Sequence, residues 1–206
     1  PRFFGGCNFR CPFCHNGDLV NGPWENPFDP EDVLAFLKKR SGFWRESALQ
    51  AENPLFSLIS EADPQHTSLG LSVKLDTNGY RLMFKGSLPQ RLIDYVAMDI
   101  KAGHGNYAAA AGLPGIDMGK IEESVSFCSQ VLSPVNSAPP SKELHSESDF
   151  YDIGRWIQVQ TYYLQSYKDS EQVLVPGFSA CSREELLHFM DIVRPLWKCG
   201  AQRRRL

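Results

Sequence analysis

The chain has 206 residues, 42% of them hydrophobic, and a formal charge of -3 at pH 7. That length and apolar content suffice for a real core, exclude a disordered chain and predict a single domain over 1–206. The charge gives no electrostatic case for nucleic acid, and no apolar run reaches the ~18 residues that would span a membrane. Six cysteines without a secretory signal suit a reducing cytoplasm, where thiols serve metals rather than disulfides.

In chain order, Pro1-Arg2-Phe3-Phe4-Gly5-Gly6 leaves almost no room for a strand before the first cysteine, so an incomplete N-terminus is expected. Cys7, Cys11 and Cys14 follow, spaced C-x3-C-x2-C, in a loop over 7–16 that continues into His15 and Asn16. Three thiolates on one loop can hold three irons of a [4Fe-4S] cube and leave the fourth iron open to a chelating substrate. A zinc site with His15 or a distant cysteine as fourth ligand is the competing reading, although paired C-x2-C units are the usual zinc spacing. Cys128, Cys181 and Cys199 are scattered and read as packing residues.

A helix is predicted over 29–40, with Asp29 as cap, Pro30 in the first turn, bases at the far end and Gly42 as its stop. The apolar runs at 69–75 and 94–101 read as buried parallel strands, each with polar residues at its C-terminal end: Asp76, Thr77 and Asn78 on the first, Asp99 and Lys101 on the second. Met118, Ile121, Val125, Cys128 and Leu132 recur at helical spacing. Ser146 to Asp149 resembles a helix start, 161–167 a strand, and Ser182-Arg183-Glu184-Glu185 a capping box opening a last helical segment over about 182–198. Alternating strands and helices without an internal repeat predict an α/β fold, an open or partial β/α TIM-like barrel. Two stretches interrupt it: residues 43–68 lack an apolar strand pattern, and so does SPVNSAPPS at 133–141, so gaps are expected in the barrel wall. The terminal Arg203-Arg204-Arg205 reads as a solvated end.

The run GCNFRCPFCHN, with Phe13 before the third cysteine, resembles the cluster loop of radical S-adenosylmethionine (SAM) enzymes. More narrowly it resembles the activating enzymes of glycyl radical enzymes, especially activators of anaerobic ribonucleoside-triphosphate reductase. KLDTNG, DYVAMDIKA, the IEES helix, LHSESDFYDIGRWI and the YYLQ to CSREEL segment extend the likeness over almost the whole chain. The resemblance implies a [4Fe-4S] cluster on Cys7, Cys11 and Cys14, with SAM on the open iron and Phe13 near the adenine. It implies that Asp76, Thr77 and Asp99 place a monovalent cation against the SAM carboxylate, that Lys101 lies near that carboxylate, and that Asn78 helps form the SAM pocket. The implied reaction is one-electron cleavage of SAM to a 5′-deoxyadenosyl radical that removes a glycine hydrogen from a partner enzyme. Flavodoxin or ferredoxin is the implied electron donor. The rival readings are another radical SAM reaction on a small molecule, or a zinc-binding or inactive remnant.

Members of that family carry a strand ending GGEPTLQ and another reading EFRTT where this chain is interrupted. Suitable codons for residues 50–60, taken one base earlier, spell GGEPTLQPDL. The same shift turns 135–141 into EFRTTV and 81–84 into RPDV. Three matches in one direction predict local frameshifts over about 43–68, 81–84 and 133–141. DNA sequence across codons 43–68 that cannot spell GGEP in that frame would refute this. Glu52 is therefore not given the motif glutamate's role, and weak folding and poor SAM binding are expected of the chain as it stands.

Overall fold

The computed structural model describes residues 2–3, 6–22, 32, 35–36, 38–39, 46–50, 72–81, 94–130, 135–137, 140–157, 162–196 and 202–203. Among the described residues seven strands form one sheet: β1 (Arg2–Phe3), β2 (Glu46–Gln50), β3 (Ser72–Thr77), β4 (Tyr95–Ile100), β5 (Val135–Ser137), β6 (Tyr162–Leu164) and β7 (Gln202–Arg203). Their spatial order is their chain order and every pairing is parallel. Each connection therefore crosses back over the sheet, so the C-terminal ends of all strands, with the loops that follow, lie on one side of it. In β4, Val96, Ala97, Met98 and Ile100 are all in the core. Burial of both faces is what a continuous apolar run in a parallel sheet predicts.

Among the described residues, each of the two stretches where a gap was expected contributes a strand. Glu46–Gln50 pairs with β1 on one side and with β3 on the other, in the register Leu49↔Leu75, and Val135–Ser137 pairs with β4 and β6. Short segments of poor strand pattern are held here by backbone hydrogen bonds to neighbours on both sides, and that context overrides intrinsic preference. Of the arginine end, Arg203 belongs to β7, paired with β6, while residues 204 and 205 lie outside the described residues. Of the strand expected at 69–75, residues 72–75 are described and belong to β3, which continues through Asp76 and Thr77, while 69–71 lie outside the described residues. Of the helix predicted over 29–40, residues 32, 35–36 and 38–39 are described and helical, while Gly42 lies outside the described residues, as does Cys199.

The described helices are α1 (Gly17–Asn21), α2 (Tyr107–Ala111), α3 (Met118–Gln130), α4 (Glu147–Trp156) and α5 (Arg183–Val193). Local chemistry fixes their starts. Glu185 N donates to Ser182 Oγ at 3.2 Å while Ser182 N donates to Glu185 Oε2 at 2.6 Å, the reciprocal pair of a capping box. Asp149 does the corresponding work for α4, accepting from Ser146 N at 2.9 Å. On the core side, Phe150 of α4 stacks on Phe189 of α5 with centroids 4.2 Å apart. Ile121, Val125 and Cys128 turn the buried stripe of α3 inward, and burial pushes the Cys128 thiol up to about 12. Among the described residues no helix is long and apolar enough to cross a membrane.

Candidate functional site

The cysteine loop leaves β1 and is clamped on two sides by backbone hydrogen bonds. Arg10 N donates to Ala111 O at the end of α2 (2.9 Å). On the other side, Leu174 N donates to Cys14 O and Val175 N to Pro12 O, both at 2.9 Å, and Gly17 N donates to Gln172 O at 3.2 Å. Residues 172–175, after β6, thus run beside 12–17 like an added strand. Phe9 and Phe13 anchor the loop in the core, Phe9 against Tyr80 (5.6 Å) and Phe13 against His145 (5.7 Å). Between them Cys14 N closes a turn onto Cys11 O at 3.0 Å, which keeps those two residues adjacent.

None of the three cysteines is in a disulfide among the described residues; Cys11 is buried, and Cys7 and Cys14 are half-buried. Among the described residues no three His, Cys, Asp or Glu side chains converge into a formed metal site. The donor set nonetheless fits an iron–sulfur group, since three soft ligands share one clamped loop. Backbone donors also face the sulfur, with Phe9 N 3.4 Å from Cys7 Sγ. Beside Cys7, the Asn8 side-chain nitrogen is buried without a hydrogen-bond partner. A buried orphan donor is costly unless an acceptor arrives, and an inorganic sulfide would be such an acceptor.

The remaining predicted residues stand at the same C-terminal edge. Asp76 pairs with Lys74 of its own strand (2.6 Å), and Thr77 Oγ1 accepts from Gly79 N (3.1 Å). Asp99 and Lys101 pair at 3.2 Å. The Asn78 side chain is 2% exposed; its oxygen accepts from Tyr80 N (3.0 Å), and its nitrogen donates to Asn8 Oδ1 (2.9 Å) and lies 3.9 Å from Cys7 Sγ. Gly79 follows at φ 75°, a conformation that favours glycine, and an added Cβ there would displace the Met98 methyl, 2.2 Å away. The structure thus joins Asn78 to the cysteine loop and holds Asp76 and Asp99 in separate lysine pairs.

Sequence reasoning passed over His145 and Tyr107. His145 is buried; its Nε2 donates to Lys101 O (2.8 Å) and its Nδ1 accepts from Ser141 N (3.1 Å), which sets the tautomer. Burial holds its pKa below the usual histidine value. One neutral imidazole therefore touches Phe13 of the cysteine loop and the backbone at the end of β4. Tyr107 is fully buried near Lys101, Cys11 and Asp99, and burial drives its phenol well above the ordinary range. The histidine stood in LHSESD, but only the fold brings residue 145 to residue 13.

A cavity of about 460 Å³ opens beside these loops, lined by Gly103, Gly105, Asn106, His145, Ser148 and Asp152 among others. Its wall is braced by His104, whose Nδ1 contacts Asp152 Oδ2 at 2.9 Å and whose Nε2 contacts Glu122 Oε1 at 2.8 Å. Burial pulls the His104 pKa down, but the hydrogen bonds and charges of Glu122 and Asp152 outweigh it and leave the value above 6.5. A raised histidine stabilises the fold fully below its unfolded pKa, and that contribution disappears as pH climbs through the folded value. Buried His145, with its lowered pKa, contributes the opposite slope, so the expected result for His104 is that the urea-midpoint advantage of the parent over His104→Gln shrinks from about pH 5.5 to about pH 8.5. An unchanged slope in the variant would refute the assignment.

No protein-family profile matches the chain. It is 31% identical over 111 residues to "Putative glycyl-radical enzyme activating enzyme MJ1227" of Methanocaldococcus jannaschii, an alignment covering 51% of this chain and 44% of that protein. Among solved structures it superposes on Streptococcus suis SuiB bound to S-adenosylmethionine with TM-score 0.69 and 11% identity, over 98% of this chain and 49% of SuiB. SuiB bound to its precursor peptide SuiA gives TM-score 0.70 at 11% identity, over 98% of this chain and 48% of SuiB. A domain of pyruvate-formate lyase-activating enzyme from Bacteroides vulgatus gives TM-score 0.53 at 12% identity, over 99% of this chain and 98% of that domain. The chain thus spans less than half the length of the curated relative and of SuiB. Its fold is the partial, open β/α barrel of the radical SAM type.

Proposed function

We propose that the chain is a radical SAM activase that installs a glycyl radical on a partner enzyme, with anaerobic ribonucleotide reductase as the intended partner. The observation that carries this reading is the three-thiol loop, clamped at the same barrel edge as Asn78, Asp99 and Lys101. The similarity to a protein named as a glycyl-radical enzyme activating enzyme, and to structures holding SAM or a peptide, supports it further.

In this reading Cys7, Cys11 and Cys14 hold a [4Fe-4S] cluster, and Phe13, Asp76, Thr77, Asn78, Asp99 and Lys101 surround SAM, with a monovalent cation among the carboxylates. When bound, the cluster and SAM supply reductive cleavage to methionine and a 5′-deoxyadenosyl radical, chemistry that belongs to the cofactors. The chain's own work is placement and exclusion of water. The Lys101 ammonium balances a carboxylate, and its loop is fixed by His145 at Lys101 O and by Asp149, which accepts from Gly103 N at 3.1 Å. Buried Phe9, Phe13 and Tyr107 make the surroundings apolar, which guards a reactive species from the solvent. The adjoining cavity, with its glycine-lined wall, is the proposed entry for an extended loop of the protein substrate.

The test is anaerobic incubation of the reconstituted protein with SAM, a reductant such as flavodoxin or ferredoxin, and the reductase partner. A glycine-centred EPR doublet is the expected result. Cleavage of SAM to 5′-deoxyadenosine with no doublet on the partner would overturn the activase reading and favour another radical SAM reaction.

A further inference from the structure

Asn78 lies 70 residues from Asn8 in sequence, yet its amide is buried against the cysteine loop. Its two N–H hydrogens have two acceptors within reach: Asn8 Oδ1 at 2.9 Å and Cys7 Sγ at 3.9 Å. The amide cannot turn over freely, because its oxygen is held by Tyr80 N at 3.0 Å in a turn closed on itself. Cys7 Sγ also receives Phe9 N at 3.4 Å. Cys7 thus sits among donors arriving from its own loop and from the end of β3.

We infer that Asn78 is a positioning residue for Cys7, a fixed amide donor to its sulfur that sets how easily an iron–sulfur centre on this loop accepts an electron. The inference rests on the reading that the loop holds such a centre, and it adds a contact to Cys7 to the SAM-pocket role expected of Asn78. A ligating cysteine has lost its proton, so Cys7 can then only accept, and a neighbouring amide N–H becomes a charge-assisted donor. Reduction adds negative charge that spreads onto the sulfurs. A donor fixed beside one of them stabilises the reduced state more than the oxidised one and raises the potential. Because the amide is buried, the effect is weakly screened. The Asn8 Oδ1 contact holds the Asn78 amide in line, and the same oxygen lies 4.0 Å from Cys7 Sγ.

The test is an EPR-monitored redox titration of the reconstituted protein without SAM or partner, so that it reads the centre and not turnover. Asn78→Leu keeps the branched shape and the number of side-chain heavy atoms but removes the donor. It is expected to lower the equilibrium constant for reduction about tenfold, about 59 mV for a one-electron couple. Asn78→Asp keeps an acceptor for Tyr80 N and puts a carboxylate by the sulfur, and it is expected to shift the potential further negative. Asn8→Leu reads the relay from its other end and leaves the Tyr80 turn in place, so a failure of the Asn78 variants to fold does not remove the test. Equal potentials in all loaded variants and the parent would overturn the role of Asn78 while leaving the cluster standing. A parent protein that takes up no iron and sulfide would overturn the cluster reading itself.

Discussion

Alanine at any one of Cys7, Cys11 and Cys14 is expected to cut iron retention after anaerobic reconstitution from about four atoms per chain to less than about one. Alanine at Cys128 or Cys181 is expected to leave it unchanged. The contrast follows from where the thiols sit. The thiolate is the ligand, so a cysteine must ionise before it binds metal. Cys128 is walled into the core with its sulfur 4.0 Å from Met98 Sδ, and burial holds the thiol up at about 12. Cys181 is likewise raised, first by burial and then by the Glu185 charge, and its sulfur donates to Pro140 O at 3.6 Å. The loop thiols instead share one clamped segment, with backbone and amide donors aimed at Cys7. A cube has no alternative ligand on this loop if one thiol is lost, because His15 is already engaged with Lys168 O and with the Tyr167 ring at 5.4 Å. Iron and acid-labile sulfide analysis checks the prediction. One zinc and no sulfide in the parent would replace it with the zinc reading, and iron retention in a single loop variant would remove that cysteine from the ligand set.

The parts of this arrangement that were legible in the sequence are those carried by neighbours along the chain. The Cys7-Cys11-Cys14 spacing, the Ser182–Glu185 capping box and the helical stripe Ile121, Val125 and Cys128 are each written within a few turns of backbone. The strands at 46–50 and 135–137 were not legible. ESALQ and VNS carry too little apolar or β-branched character to announce themselves, and each is a strand only because ladders on both sides accept it. Asp76 and Thr77 were placed at the strand's C-terminal end, and Gln50↔Asp76 and Thr77↔Met98 show the ladder running through them. Contacts of the site itself were the least visible. His145 reaches Phe13 and Asn78 reaches Cys7 only after the strands have been put in order, and no local pattern encodes that order.

Gly112→Ala is expected to destabilise the fold by about 3 kcal/mol or more, a loss in the range reserved for named steric or packing failures. For a domain of this size that corresponds to a drop in Tm of about 6 to 12 °C. Gly112 ends α2 at φ 59°, a region that costs an L-residue roughly 1–2 kcal/mol by itself. The larger part is steric, because an added Cβ would fall 2.0 Å from Arg10 O and 2.4 Å from Arg10 C. Those are backbone atoms, so no rotamer change relieves the overlap. They also belong to the cysteine loop, where Arg10 N is tied to Ala111 O at 2.9 Å. The substitution therefore pushes apart the two segments that this bond joins, one residue before Cys11. Gly115→Ala is the control: its φ is 73°, but nothing lies within 4 Å of the added carbon, so it bears the conformational cost alone and should lower Tm by about 2 to 8 °C, less than Gly112→Ala. Thermal unfolding of both variants, followed by circular dichroism and paired with iron analysis, separates the two terms. The steric account requires Gly112→Ala to lose both stability and iron while Gly115→Ala keeps its iron, and equal Tm losses in the two would refute it.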